Sequence, residues 1–298
     1  MTVHVIVNPL AGRGAGERLL PQLRSLFGKA SHVEFTPTRA AGDEQRLAQA
    51  AVSREARTIM VVGGDGTCSG VANAILAANA PCRIGVFPCG TGNDFAKTLG
   101  VADYEPEEIM SLMQHKTPSV IDVGFAEGRY FLNSCGFGFD ASVLEASQKV
   151  RFLKGDAVYI YAALGQLFAY NGIEVSANGA AGVESGRMLM VTVSNGRWLG
   201  GAFKIAPHAS VLDGRLNACF FGDSNVVERA RLFVGALRGT HLGMRAVSSA
   251  SVQQLALTFA KPPSIEMDGE LLTARSTTVE LKCVPRALSV VAAPGALV

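Results

Sequence analysis

Apolar positions in the first third of the chain alternate between two spacings. Residues 3–7, 32–36, 59–62 and 84–87 are short, mostly apolar runs rich in β-branched residues, and each reads as a strand. Longer stretches with helical spacing lie between and after them. The first is 17–27, with apolar positions at 19, 20, 23, 26 and 27, followed by 43–52, 68–79 and about 95–99. Strands that alternate with helices imply parallel pairing, with helices on both faces of the sheet. Ligands of such sheets bind outside the carboxyl ends of the strands.

From about residue 121 the pattern changes. Runs at 130–132, 188–193, 216–221, 255–259, 279–282 and 288–292 are strand-like and separated by Gly, Asn, Asp and Pro. Helical patterns interrupt them near 157–170 and 225–237. The expected architecture is an α/β N-terminal domain with a parallel sheet, residues 1–122, and a mainly antiparallel β-sandwich C-terminal domain, residues 123–285. The last strand, within 286–298, is expected to return to the first domain.

Composition narrows the function classes. A formal net charge of +2 argues against a broad nucleic-acid surface. The longest uncharged stretch, 157–173, holds Gly165, Gln166, Asn171 and Gly172 and falls short of a transmembrane span. It reads as a buried helix or as one resting on a membrane, and Lys149, Arg151 and Lys154 just before it suit an anionic surface. The N-terminus reads as a strand and not as a leader. The 6 cysteines form no Cys-x-x-Cys pair and read as reduced thiols of a cytoplasmic protein. No two histidines have metal-ligand spacing.

Three glycine turns end three of the expected strands. They are Asn8-Pro9-Leu-Ala-Gly12-Arg13-Gly14, Gly63-Gly64-Asp65-Gly66-Thr67 and Pro88-Cys-Gly90-Thr91-Gly92-Asn93-Asp94. One such turn is weak evidence, but three at one edge of a parallel sheet would converge on a single crevice lined by bare backbone N–H groups. That is the chemistry a phosphate needs. A carboxylate beside phosphates, as at Asp65, makes sense as a holder of Mg²⁺ or as a base. The P-loop and dinucleotide fingerprints are not matched, and no Gly-x-Ser-x-Gly occurs.

These motifs resemble the diacylglycerol kinase catalytic-domain family, which includes bacterial lipid kinases and the sphingosine and ceramide kinases. The resemblance continues through Ile121-Asp122-Val-Gly, Phe131-Leu-Asn133, Gly136-Phe-Gly138-Phe-Asp140-Ala and Ser194-Asn195-Gly196. It goes on through Gly200-Gly201-Ala-Phe203, Ala206-Pro207, Asp213-Gly214-Arg-Leu216 and Met267-Asp268-Gly269-Glu270, spanning essentially the whole chain in order. It implies a fold like that of NAD kinase and diacylglycerol kinase, with ATP and Mg²⁺ used to phosphorylate a lipid hydroxyl in a cleft between two domains. The acceptor would be diacylglycerol-like or sphingoid- or ceramide-like, reached by a peripheral protein at a membrane surface. A homodimer is left open.

Carried over by position, the resemblance implies ATP contacts at Asn8, Pro9, Gly12, Thr38, Gly63, Gly64, Asp65, Gly66, Thr67, Gly90, Thr91 and Asn93. It implies a metal site at Asp213 with the carbonyls of Ser210 and Arg215, and Asp122 joining an acidic network. Asp268, Glu270 and Asp65 are the candidate bases. Asp268 and Glu270 would share one face if the chain there is extended, and clustered carboxylates favour a raised pKa. One departure stands out: the family usually continues the second turn with a residue and then Asn-Glu, whereas this chain has Cys68, Ser69 and Gly70. Two other readings are a NAD kinase, which shares the second turn, and a nucleotide- or lipid-binding regulatory protein without activity.

Overall fold

A computed structural model describes residues 3–28, 32–147, 149, 157–178 and 185–297. The chain divides into two compact units, Met1–Ile121 with Arg286–Val298, and Asp122–Pro285.

The first unit contains β1 (Val3–Val7), α1 (Ala11–Phe27), β2 (Val33–Pro37), α2 (Asp43–Ser53), β3 (Thr58–Gly63), α3 (Asp65–Ala77), β4 (Arg83–Pro88), α4 (Asp94–Thr98) and α5 (Pro106–His115). Its strands are parallel in the order β2-β1-β3-β4, and Ser289 and Val290 at the end of the chain's last strand add on beside β4. Every residue of β1 and β3 is buried, which explains why both read as nearly unbroken apolar runs. The chain leaves β1 toward β2 but leaves β3 toward β4 on the opposite side, so the order reverses between β1 and β3. Right-handed crossovers then place α1 on one face and α2 and α3 on the other. The packing agrees: α2 lies against α3, and α1 against α5.

Two local features differ from the sequence pattern. The third helix begins at Asp65, three residues early, so the second glycine turn is only Gly63-Gly64 and Asp65 opens α3. Helix α5 was not among the expected helices, although Ile109, Met110, Leu112 and Met113 give it a buried apolar face. It is started by Pro106 and a reciprocal cap between Glu105 and Glu108, with Glu105 N–H donating to Glu108 Oε2 at 2.8 Å.

The second unit is mainly antiparallel. Its elements are β5 (Ser119–Ala126), which begins at the end of the first unit, β6 (Arg129–Phe131), β7 (Ser134–Gly138), α6 (Phe139–Ser147), α7 (Ala157–Ala169), β8 (Ile173–Asn178), β9 (Gly186–Ser194), β10 (Leu216–Gly222), α8 (Val226–Arg238), β11 (Val247–Val252), β12 (Gln254–Phe259), β13 (Ser264–Met267), β14 (Glu270–Thr273) and β15 (Thr278–Val290). The ladder runs β14-β13-β7-β9, continues from β9 to β10 and β11, and also from β9 through β8 and β12 to β15. Fully buried Phe131, Phe137, Val191, Phe220, Leu257 and Leu281 fill one core, where Phe137 stacks on Phe259 at 5.1 Å. A second cluster joins Met190, Cys219 and Phe221 to Leu232 of α8. The runs at 279–282 and 288–292 belong to one strand, because Pro285 falls between the stretch paired with β12 and the stretch paired with β4.

Candidate active site

The three glycine turns meet. Register sets Val7 beside Val62 and Gly63 beside Pro88, so β1, β3 and β4 end level at the point where strand order reverses. Asn8 Nδ2 donates to Thr67 Oγ1 at 3.1 Å, tying the first turn to the start of α3. A Cβ on Gly12 would overlap the Cys89 carbonyl oxygen, and one on Gly64 would come within 2.8 Å of Gly90 Cα. The turns therefore touch backbone to backbone, an approach only glycine permits. Asp65 Oδ1 accepts from Phe95 N–H at 2.8 Å, so this carboxylate caps α4. Asn93, at positive φ, closes the third turn by accepting from Gly90 N–H at 2.8 Å and donating to Gly90 O at 3.2 Å.

The other first-unit candidates surround this edge. Pro9 and Gly66 are half-buried, Thr91 is exposed, and buried Thr38 donates its N–H to Val7 O at 2.8 Å just past β2. The N-terminus of α3 and the bare turn amides give the edge a positive end suited to an anion. Burial raises the Asp65 pKa, against the Phe95 and Asp94 amides and the Lys97 charge, which lower it. Lys97 lies 3.8 Å from Asp94. Arg18 reaches back to the carbonyl of Arg13, and its charge is felt at Cys89. Both cations neighbour the turns, and sequence reasoning did not select them. The available signal was Lys97 in the first helical turn after Gly92, in a stretch that does not match the P-loop fingerprint. The departure at Gly70 also has a structural counterpart: a Cβ there would lie 2.5 Å from Glu44 Cγ, so a side chain from α2 occupies that space.

In the second unit the carboxylates serve the fold to very different degrees. Asp268 and Gly269 form the two-residue turn between β13 and β14, with Met267 paired to Glu270 and positive φ at both turn residues. The chain there is not extended, so the expectation that Asp268 and Glu270 share a face is corrected. Asp268 is buried and accepts from the backbone N–H groups of Leu132 at 2.7 Å, Asn133 at 2.8 Å and Ser134 at 3.3 Å. Glu270 is half-exposed, 2.8 Å from Arg129.

Asp122 is also buried, and its Oδ2 accepts from Gly214 N–H at 2.6 Å, bracing the loop that carries Asp213. Asp213 is exposed, and one of its oxygens accepts from Arg215 N–H at 3.0 Å. No group of three metal-ligating side chains occurs among the described residues. A cation here would rest on the Asp213 carboxylate and the carbonyls of Ser210 and Arg215, hard oxygen donors of the kind magnesium accepts.

Comparison with known proteins decides the family. The diacylglycerol kinase catalytic domain matches residues 2–126, and the YegS C-terminal NAD kinase beta sandwich-like domain matches residues 133–292. The chain belongs to the diacylglycerol kinase catalytic-domain family. A diacylglycerol kinase of Bacillus subtilis (strain 168) is 27% identical over 90% of this chain and 89% of its own. A protein named "Probable lipid kinase YegS-like" from Pseudomonas putida is 32% identical over 80% of this chain and 78% of its own. The crystal structure of a diacylglycerol kinase from Bacillus anthracis str. Sterne superposes with a TM-score of 0.74 at 22% identity, covering 100% of this chain and 98% of that one. The α/β domain followed by a β-sandwich-like domain is thus the family fold, and membership of a kinase family makes the chain a phosphotransferase.

Proposed function

We propose that this family member transfers the γ-phosphoryl group of ATP to a hydroxyl of a lipid, diacylglycerol-like or sphingoid- or ceramide-like. The observation that carries the reading is the convergence of three bare-backbone turns at the switch point of the parallel sheet, in a chain of a kinase family. Gly63, Gly64, Gly66, Gly12 and Gly90 clear the way for backbone amides to hold phosphate oxygens, with Arg18 and Lys97 supplying positive charge. Asn8, Thr67, Thr91 and Thr38 add side-chain donors around them. Phosphoryl transfer needs mainly positioning and charge neutralisation. Asp213, Ser210 and Arg215 would hold Mg²⁺, which neutralises phosphate charge when bound.

Glu270 is the accessible carboxylate of the hairpin pair, and we assign it the proton. The lipid hydroxyl gives its proton to Glu270 as its oxygen bonds to the γ-phosphorus, and the bond to ADP breaks. Asp268 and Asp122 support this arrangement by holding the backbone around it. The enzyme works at a membrane surface as a peripheral protein. No helix among the described residues is long and apolar enough to cross a bilayer, while Tyr161 and Leu164 of α7 are exposed. Of the basic residues before α7, Lys149 pairs with Glu145 at 3.2 Å, and Arg151 and Lys154 lie outside the described residues.

Incubation with γ-labelled ATP and a total lipid extract tests the reading. The expected product is a labelled lipid. Labelled NADP formed from NAD, or no transfer despite ATP binding, would overturn it.

A further inference from the structure

Glu266 lies on β13 just before the Asp268-Gly269 turn and is only 5% exposed. Its neighbours Ile265 and Met267 turn into the phenylalanine core, so Glu266 faces the other side of the sheet. There α6 packs on β13, and the Asp140 carboxylate takes the side-chain place of Gly136, the residue paired with Glu266. A buried carboxylate with a second carboxyl opposite it is costly to keep.

Glu266 holds one N–H of that turn: its Oε1 accepts from Gly269 N–H at 2.7 Å. The hairpin closes without this bond. Met267 pairs with Glu270 across it, and an Asp-Gly turn with both residues at positive φ suits two antiparallel strands by itself. The Gly269 N–H takes no part in the ladder either, because a two-residue turn closes between the residues that flank it. The bond therefore fixes the tilt of the turn and not the pairing of the strands.

Glu270 is the next residue. Two other contacts seat the same hairpin on the segment around β6: Asp268 accepts from the N–H groups of Leu132, Asn133 and Ser134, and Glu270 itself pairs with Arg129. With Glu266 added, the residue before Gly269, the residue after it and Gly269 itself are each held. A turn fixed at three successive residues has one orientation, and so has the carboxylate that follows it.

We propose that Glu266 is a positioning residue for phosphoryl transfer: by holding the Gly269 N–H it sets the direction in which Glu270 meets the acceptor hydroxyl. The inference rests on the assignment of the proton to Glu270 and extends it to the residue behind the turn. Glu266 acts only through Glu270.

A double-mutant cycle tests it, read as labelled lipid formed from γ-labelled ATP and a total lipid extract. Glu266→Met removes the acceptor at similar volume. Turnover should fall roughly ten- to a hundredfold, the scale of a hydrogen bond to a charged group, with the KM for ATP unchanged. Glu266→Gln keeps an acceptor oxygen for Gly269 and should recover most of the loss. In the Glu270→Gln background Glu266→Met should cost nothing more, since no base is left to position. Losses that multiply would overturn the proposal, as would wild-type turnover in Glu266→Met. Should Glu266→Met fail to fold, Glu266→Ala, which adds no bulk, takes its place in the cycle. If the wild type labels no lipid, the kinase reading is what fails. Amide exchange at residues 267–270 then decides the brace: faster exchange in Glu266→Met than in wild type supports it, and equal exchange overturns it.

Discussion

In the first unit the candidate site is built of backbone amides laid bare by glycines, whereas in the second the candidates are carboxylates, several already committed to the fold. Gly12, Gly64 and Gly90 bring three turns into contact with nothing between them. Asp268 spends its oxygens on three backbone N–H groups and Asp122 one of its own on Gly214, which leaves Glu270 and Asp213 at the surface. A site of bare backbone tolerates no added atoms. A site of carboxylates must be sorted residue by residue into those that shape the chain and those that can react.

The largest expected effect breaks the first half of this contrast. Gly64→Ala or Gly90→Ala puts a methyl group into the facing backbone, an overpacking that costs about 1–3 kcal/mol. The melting temperature should fall and ATP affinity, read by titration calorimetry, should drop at least tenfold as the turns part. Gly64→Ala with wild-type ATP affinity would show that the contact between the turns does not build the site.

A smaller effect sharpens the second half. An aspartate normally titrates near 4, whereas burial holds Asp140 at about 7. Between these values the folded chain keeps a proton that the unfolded chain has released, so this residue makes stability fall as pH rises from about 4 to about 7. Asp140→Asn should flatten that part of the profile, read as the difference in melting temperature from wild type across the window. Parallel profiles would contradict the buried setting of Asp140.

The parallel sheet was legible because β1 and β3, buried on both sides, leave uninterrupted apolar runs, and because glycine turns follow strand ends. Strands β7, β13 and β14 were not read as strands. They are short, and β7 is Ser-Cys-Gly-Phe-Gly, whose serine and glycine positions lie on the face opposite the Phe137 core and so break the apolar alternation. The roles of the carboxylates could not be read from local sequence. Asp268 finds its partners more than 130 residues away, at Leu132, Asn133 and Ser134, and an Asp-Gly pair looks the same whether it caps a distant backbone or faces solvent. The same limit hid Glu44, which lies far from Gly70 along the chain yet fills the space beside it.

The division between a scaffold carboxylate and a reactive one is tested most directly by measuring kcat, ATP affinity and melting temperature for Glu270→Gln and Asp268→Asn side by side. Losing a proton acceptor costs roughly 10²–10⁴-fold in rate, so Glu270→Gln should lose turnover on that scale while keeping its ATP affinity and melting temperature. Asp268→Asn should lose stability first, since one acceptor of its backbone clamp becomes a donor. A Glu270→Gln enzyme that turns over at the wild-type rate, or an Asp268→Asn enzyme of wild-type stability that is inactive, would contradict the assignment.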